Sequence, residues 1–137
     1  MLIKKLENLN KSDGSEGTII SQIFHPHNTL NGIRYSIAYS TISPGQKSKP
    51  HKMKTSEVYF ILGGVGIMHI EDETEKVSKN DAIYVPPFSK QFLENSGNSE
   101  LKVLCIVDPA WKKDDEEILE WVIQDRVRLF LSYDVLE

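Results

Sequence analysis

Two stretches of the chain decide the fold: GQKSKPHKMKTSEVYFILGG, from Gly45 to Gly64, and NDAIYVPPFSKQFLEN, from Asn80 to Asn95. In the first stretch, His51 and Met53 are two residues apart, so their side chains project to the same side of an extended segment. An apolar run begins at Glu57, and a carboxylate that faces the interior of a barrel is costly unless it is paired. Imidazole nitrogen and carboxylate oxygen together suit a divalent metal ion.

The spacing within these stretches resembles the paired motifs of the cupin superfamily, GxxxxxHxHxxxExxxxxxG and GxxxxxPxGxxHxxxN, with no gap inside either motif. The motif residues present are Gly45, His51, Glu57, Gly64, Pro86 and Asn95. The departures are Met53 and Gln91 in place of histidines, and Asn80 and Phe88 in place of glycines. The resemblance implies a small antiparallel jelly-roll barrel that brings His51, Glu57 and Gln91 together.

The same resemblance implies a metal site with His51, Met53, Glu57 and Gln91 at the ligand positions. His51 and Glu57 suit iron, manganese, nickel or zinc. Gln91 is either a neutral oxygen ligand or a hydrogen-bonding residue for substrate or a neighbouring strand. Met53 is better suited to filling the core, because a thioether is a soft ligand. Tyr59 and Tyr39 are the candidate substrate-binding residues.

Short strand-like runs with turn signals between them predict an all-β fold. The predicted strands are 18–24, 33–43, 57–62, 65–71, 74–78, 81–85, 91–95 and 101–107. The turn at Gly63 and Gly64 predicts a hairpin between the strands on either side of it.

The end of the chain has a different pattern. Four acidic residues, 114–117, precede an apolar run, which suits the positive N-terminal end of a helix. We therefore expect a barrel with an N-terminal arm in residues 1–113 and a helical C-terminal extension in 114–137, packed on the barrel or on a partner. Beyond Arg126 the pattern suits either more helix or a short strand. The apolar residues of this end predict a homodimer interface; they are Trp111, Ile118, Trp121, Val122, Leu129 and Phe130.

Composition limits the classes of function. With 137 residues the chain fits one domain, and a net charge of -4 with dispersed basic residues argues against nucleic acid as a partner. No apolar run approaches the ~20 residues of a membrane span, and the start lacks a signal-peptide pattern. Cys105 is the only cysteine, which is compatible with a reducing compartment. The sequence predicts a cytoplasmic protein.

Several other residues are expected to have ordinary roles. His25 and His27 lie in a turn-rich segment and are expected to face solvent. Lys47, Lys49, Lys52 and Lys54 form a solvated loop, or attract an anionic ligand to the barrel mouth. Cys105 lies in an apolar run and is expected to be an inert core thiol.

Two binding functions are compatible with this sequence, and a third possibility is a structural protein whose purpose is its dimer. The first is a barrel that binds a divalent metal ion and a small polar or carboxylated metabolite, which open coordination positions would allow to be an enzyme. The alternative is a metal-free module that binds a sugar-like molecule, which the loss of two motif histidines favours. Whether the protein is an enzyme stays open, because the fold does not choose the reaction.

Overall fold

The structure is a computed structural model that describes residues 1–14, 18–28, 32–124 and 127–132, with side chains described up to residue 119 within those ranges. The described part of the chain has two short 3-10 helices, Leu6–Asn8 and Lys113–Asp115. Its strands are β1 (Ser12–Asp13), β2 (Thr18–Phe24), β3 (Ser36–Ile42), β4 (His51–Met53), β5 (Ser56–Gly63), β6 (Val65–Ile70), β7 (Glu73–Ser78), β8 (Ala82–Val85), β9 (Gln91–Asn95), β10 (Leu101–Asp108), β11 (Glu116–Gln124) and β12 (Val127–Ser132).

The strands form two antiparallel sheets. The first has the order β1-β2-β3-β10-β5-β8, and the second has the order β12-β11-β4-β9-β6-β7. This arrangement confirms the predicted all-β jelly-roll fold. The first motif runs from β4 in the second sheet to β5 in the first, and the second motif runs from β8 back to β9. Each motif therefore contributes residues to both sheets, and the candidate site residues face one another between them.

The apolar core fills one part of the space between the sheets. Alternation along the strands produces it: in β5 the side chains of Glu57, Tyr59 and Ile61 are buried, while their neighbours are more exposed. Ile61 and Leu101 have no exposed surface. The core residues are Ile42, Tyr59, Ile61, Met68, Val77, Val85, Leu93, Leu101 and Val103.

The predicted hairpin at Gly63 and Gly64 was wrong. β5 and β6 lie in different sheets, and the chain crosses from one sheet to the other at Gly64. Gly64 has a φ of 87°, and a Cβ atom there would lie 2.7 Å from the carbonyl oxygen of Glu100. The crossing passes against the backbone at the start of β10, which leaves room only for glycine.

The prediction of a helix in the C-terminal extension was also wrong over the described residues. Residues 116–124 and 127–132 are the strands β11 and β12, which pair with each other. The segment is rich in β-branched and aromatic residues, which favour strands. In addition, Glu116–Ile118 pair with β4, so the start of the extension satisfies backbone groups at the edge of that strand.

No helix among the described residues is long and apolar enough to cross a membrane.

Candidate functional site

A cavity of about 460 Å³ lies between the two sheets, directly beside the core. Tyr59, Leu93 and Val103 belong both to the core and to the cavity wall. His51, Met53 and Glu57 line the same cavity. Its size lies in the range of small-molecule sites, and its wall is largely apolar with a few polar groups.

The pairing of strands places these residues. His51 is opposite Gln91 in the β4–β9 ladder and opposite Ile118 in the β4–β11 ladder. Met53 is opposite Glu116. Because residues opposite each other on neighbouring strands share a face of the sheet, the inner face of the second sheet presents His51 and Met53 together with Glu116 and Ile118.

A buried hydrogen-bonded group joins the two sheets at this point. The amide nitrogen Nε2 of Gln91 donates to Oε1 of Glu57 at 3.1 Å. The hydroxyl of Tyr59 lies 2.6 Å from Oε1 of Gln91 and 3.1 Å from Oε1 of Glu57. Glu57 and Tyr59 come from β5 and Gln91 comes from β9, so these contacts hold the sheets together beside the cavity.

Burial raises the pKa of the Glu57 carboxyl above its usual range. The charge of His51 and the hydrogen bonds from Tyr59 and Gln91 oppose this shift, and the negative charge of Glu116 adds to it. Burial likewise holds the pKa of the Tyr59 hydroxyl well above its ordinary value. The site therefore contains a carboxyl group that takes up a proton more readily than an exposed glutamate does.

His51 has one ring nitrogen directed to the backbone. Its Nδ1 atom lies 2.8 Å from the carbonyl oxygen of Lys49, and a carbonyl only accepts, so Nδ1 is the protonated nitrogen. In the neutral ring the lone pair is then on Nε2. A histidine held through a backbone carbonyl in this way is oriented to bind a metal ion or a proton through the other nitrogen.

Apart from His51 and Glu57, the side chains of this site are weak ligands for a metal ion. Within the described part of the chain, no group of three or more His, Cys, Asp and Glu residues is placed to hold a metal. Gln91 is 2% exposed, and its oxygen already contacts Tyr59. Met53 is 4% exposed and offers only a thioether. His51 and Glu57 fit a divalent ion only if water or a bound ligand supplies most of the coordination.

Tyr39 does not lie in this cavity, contrary to its expected place in the barrel. The inner face of β3 is formed by Ser36, Ala38, Ser40 and Ile42, which are buried and line the cavity. Tyr39 alternates with them and lies on the outer face. Small side chains occupy the inner face here, and the space that they leave is part of the cavity.

The structure also gives the positions of His25 and Cys105. His25 is buried, and the expectation that it faces solvent was wrong: its Nε2 atom lies 2.7 Å from the carbonyl oxygen of Trp111, and its Nδ1 accepts from the backbone of His27 at 3.1 Å. Cys105 is half-buried and lines the cavity, and burial raises the pKa of its thiol well above the ordinary value. A protonated thiol is a poor nucleophile.

Sequence reasoning missed Trp111 and Glu116 as cavity residues. The indole Nε1 of Trp111 donates to Oε2 of Glu116 at 2.7 Å. From the sequence, Trp111 was expected at a dimer interface and Glu116 at the start of a helix. The available signal was the β-branched run after Glu116, which would have placed this segment on a strand.

The comparisons with known proteins agree with this architecture. The cupin domain family profile matches residues 38–107. An uncharacterized protein of Methanocaldococcus jannaschii, MJ1618, is 42% identical over 106 residues, which cover 77% of this chain and 84% of that protein.

More distant similarity extends to other kinds of protein. Mannose-1-phosphate guanylyltransferase RfbM of Salmonella typhimurium is 27% identical over 123 residues, and the match covers 85% of this chain but 26% of that enzyme. The crystal structure of a predicted oxalate decarboxylase from Thermotoga maritima superposes with a TM-score of 0.71 at 18% identity, covering 79% of this chain and 99% of that chain. Identity this low supports the shared fold alone.

Replacing Glu57 with Gln tests the buried carboxyl. Because the folded-state pKa is raised, the metal-free wild type loses stability as pH increases from about 4.3 through the raised pKa. E57Q keeps an oxygen to accept from Gln91 but has no charge to bury. We expect it to be more stable than wild type at pH 8, on the order of 1.4 kcal/mol for each unit of pKa shift.

Urea unfolding from pH 4.5 to pH 8 measures this difference. The matched control is Glu117→Gln, whose carboxylate pairs with Lys52 at 3.8 Å. If the free energy of unfolding of E57Q has the same pH dependence as that of the wild type, burial of the Glu57 carboxyl does not determine how stability changes with pH.

Proposed function

This chain belongs to the cupin domain family, and on that basis we propose that its barrel binds a small polar metabolite in the cavity between the two sheets. His51 and Glu57 are the polar contacts, and the apolar wall around them excludes water from the rest of the ligand. Gln91 and Tyr59 hold Glu57 in position through Oε1, which leaves Oε2 to accept a hydrogen bond from a ligand.

One observation supports this proposal above the others. Glu57 is 6% exposed and lines a cavity, yet both of its hydrogen-bond partners, Tyr59 and Gln91, contact the same oxygen, Oε1. Among the described residues Oε2 has no such partner. Oε2 is not itself among the buried side-chain atoms that lack a partner in the described residues, so it is open to the cavity that Glu57 lines. A donor group on a bound molecule can reach this oxygen, which favours ligand binding at this point.

A divalent metal ion is the second candidate for the site. The observation that favours it is the orientation of His51, whose Nδ1–H is directed to Lys49 and whose Nε2 lone pair is left for a ligand bond. Such an ion would supply Lewis-acid chemistry to a metabolite bound beside it. Met53 and Gln91 add little to its affinity, because one is a thioether and the other is held by Tyr59.

The binding proposal is tested by amide NMR spectra of the chelator-treated protein with a panel of small sugars, polyols, amino acids and carboxylic acids. We expect shifts at residues that line the cavity. Ala38→Leu adds volume inside the cavity and should abolish them, whereas Ile37→Leu, one residue away on the outer face, should not. The role is refuted if no compound shifts cavity residues, or if both variants respond alike.

The metal candidate predicts that affinity depends on His51 and Glu57 together. We expect iron, manganese, nickel or zinc to bind the wild type weakly, and a His51→Ala, Glu57→Gln double variant to lose that binding, as measured by calorimetry and elemental analysis after preparation without affinity-tag nickel. His69 and Glu94, 3.0 Å apart on the outer face, provide a matched double variant. Unchanged metal content in the first double variant would place the metal elsewhere.

We also propose that the protein forms a C2 homodimer through its C-terminal hairpin. β11 pairs with β4 only over residues 116–118, and its remaining pairs are with β12. A two-stranded hairpin is marginally stable by itself, so a second copy that packs on it is favoured.

Light scattering on the full chain and on a truncation after Leu119 tests the dimer. This truncation keeps the three residues that pair with β4 and so preserves the barrel wall. We expect a dimer for the full chain at micromolar concentration and a monomer for the truncation. A full-length monomer refutes the dimer, and a truncated dimer places the interface on the barrel sheets instead.

A further inference from the structure

The charges that line the cavity are unequal. Asp13, Glu57 and Glu116 contribute carboxylates, and among the described lining residues Lys49 is the one lysine. His51 in its neutral form presents a lone pair to the cavity rather than a donor. The charged groups of the wall are therefore mainly hydrogen-bond acceptors with a negative balance, beside serine and threonine hydroxyls that can both donate and accept.

The neighbouring Lys47 and Lys52 do not line the cavity, and each has a contact outside it. Lys52 pairs with Glu117 at 3.8 Å, and the ammonium of Lys47 lies 5.6 Å from the ring centre of Phe92 on the outer face. The sequence left open that these lysines attract an anion. Lys47, Lys52 and Lys54 do not line the cavity, so among these four lysines that role falls to Lys49.

Trp111 is held in place at this cavity by contacts on three sides. Its backbone nitrogen donates to Oγ of Ser36 at 2.9 Å, its carbonyl oxygen lies 2.7 Å from Nε2 of His25, and its indole nitrogen donates to Glu116 at 2.7 Å. An aromatic ring held so firmly costs little entropy to bind against. It also holds Glu116, with one carboxylate oxygen occupied and the other left for a ligand.

We propose that the cavity selects small, ring-shaped molecules that are rich in hydroxyl or amino groups and carry no negative charge, with Trp111 packing against the ring and Glu57 and Glu116 accepting its hydrogen bonds. This inference rests on the binding role proposed above and narrows its ligand class. The unpartnered Oε2 of Glu57 and the unoccupied oxygen of Glu116 are the acceptors. A carboxylated or phosphorylated ligand would meet both carboxylates at short range with Lys49 as its main counter-charge.

Three probes of the same ring shape test the charge preference: glucose, glucosamine and glucuronate, which are neutral, cationic and anionic at pH 7. In NMR titrations of the full chain up to high millimolar concentration, we expect glucosamine to bind at least as tightly as glucose, and glucuronate to bind about tenfold more weakly. Trp111→Leu should weaken all three by a similar factor, because packing on the ring does not depend on charge.

Glu116→Gln isolates the charge, because the amide oxygen can still accept from Trp111. We expect it to reduce the preference for glucosamine over glucuronate about fivefold, and the control Glu117→Gln, on the opposite face of β11, to leave it unchanged. Equal or tighter binding of glucuronate, or equal effects of the two variants, overturns the ligand class. The binding role survives those outcomes, since it fails only if the whole metabolite panel leaves the cavity unperturbed or if Ala38→Leu and Ile37→Leu respond alike. Absence of binding by all three probes overturns the ligand class as well.

Discussion

The buried carboxylate of Glu57 is the constraint on which the rest of the site depends. A carboxylate that is 6% exposed inside an apolar barrel must be compensated, and here the amide of Gln91 from the opposite sheet donates to it. The hydroxyl of Tyr59 from its own strand has one hydrogen to share between Glu57 at 3.1 Å and Gln91 at 2.6 Å. The need to satisfy one charge therefore ties β5 to β9. Glutamine suits position 91 because its amide nitrogen donates to Glu57 while its oxygen accepts from Tyr59.

Much of the fold could be predicted from the sequence because its strands are short and regularly spaced. β2 and β9 occupy the predicted residues 18–24 and 91–95, and the other predicted strands differ by a few residues at their ends. Motif spacing also anticipated the meeting of His51, Glu57 and Gln91, since the family fold carries the two motifs on adjoining strands. Asn80 and Phe88, which replace motif glycines, retain positive φ angles of 77° and 65°. The backbone geometry thus persists without the residue type that favours it, although for the exposed Phe88 it costs roughly 1 to 2 kcal/mol.

Features that depend on tertiary contacts could not be predicted from the sequence. Local pattern could not tell that Gly64 marks a crossing between sheets, because a hairpin and a crossing both need a left-handed turn. The acidic run before Ile118 suits a helix end, yet the open edge of β4 makes a strand the better partner. The face on which Tyr39 lies follows from where the cavity is, and a cavity leaves no trace in the hydrophobic pattern of one strand. Trp111 lies in the loop after β10 and is held at the site by its contacts with Ser36, His25 and Glu116.

The cavity is built from residues inside and outside the part of the chain that the family profile matches. His51, Glu57, Tyr59 and Gln91 lie inside residues 38–107, the part that the family profile matches, and they form the polar end of the site. Asp13, Trp111 and Glu116 lie outside it and supply charge and aromatic surface that the proposed ligand would meet. β11 joins the two regions, because its pairing with β4 brings Glu116 opposite Met53. Selectivity can therefore change through the terminal segments while the buried Glu57 group, which holds the sheets together, stays as it is.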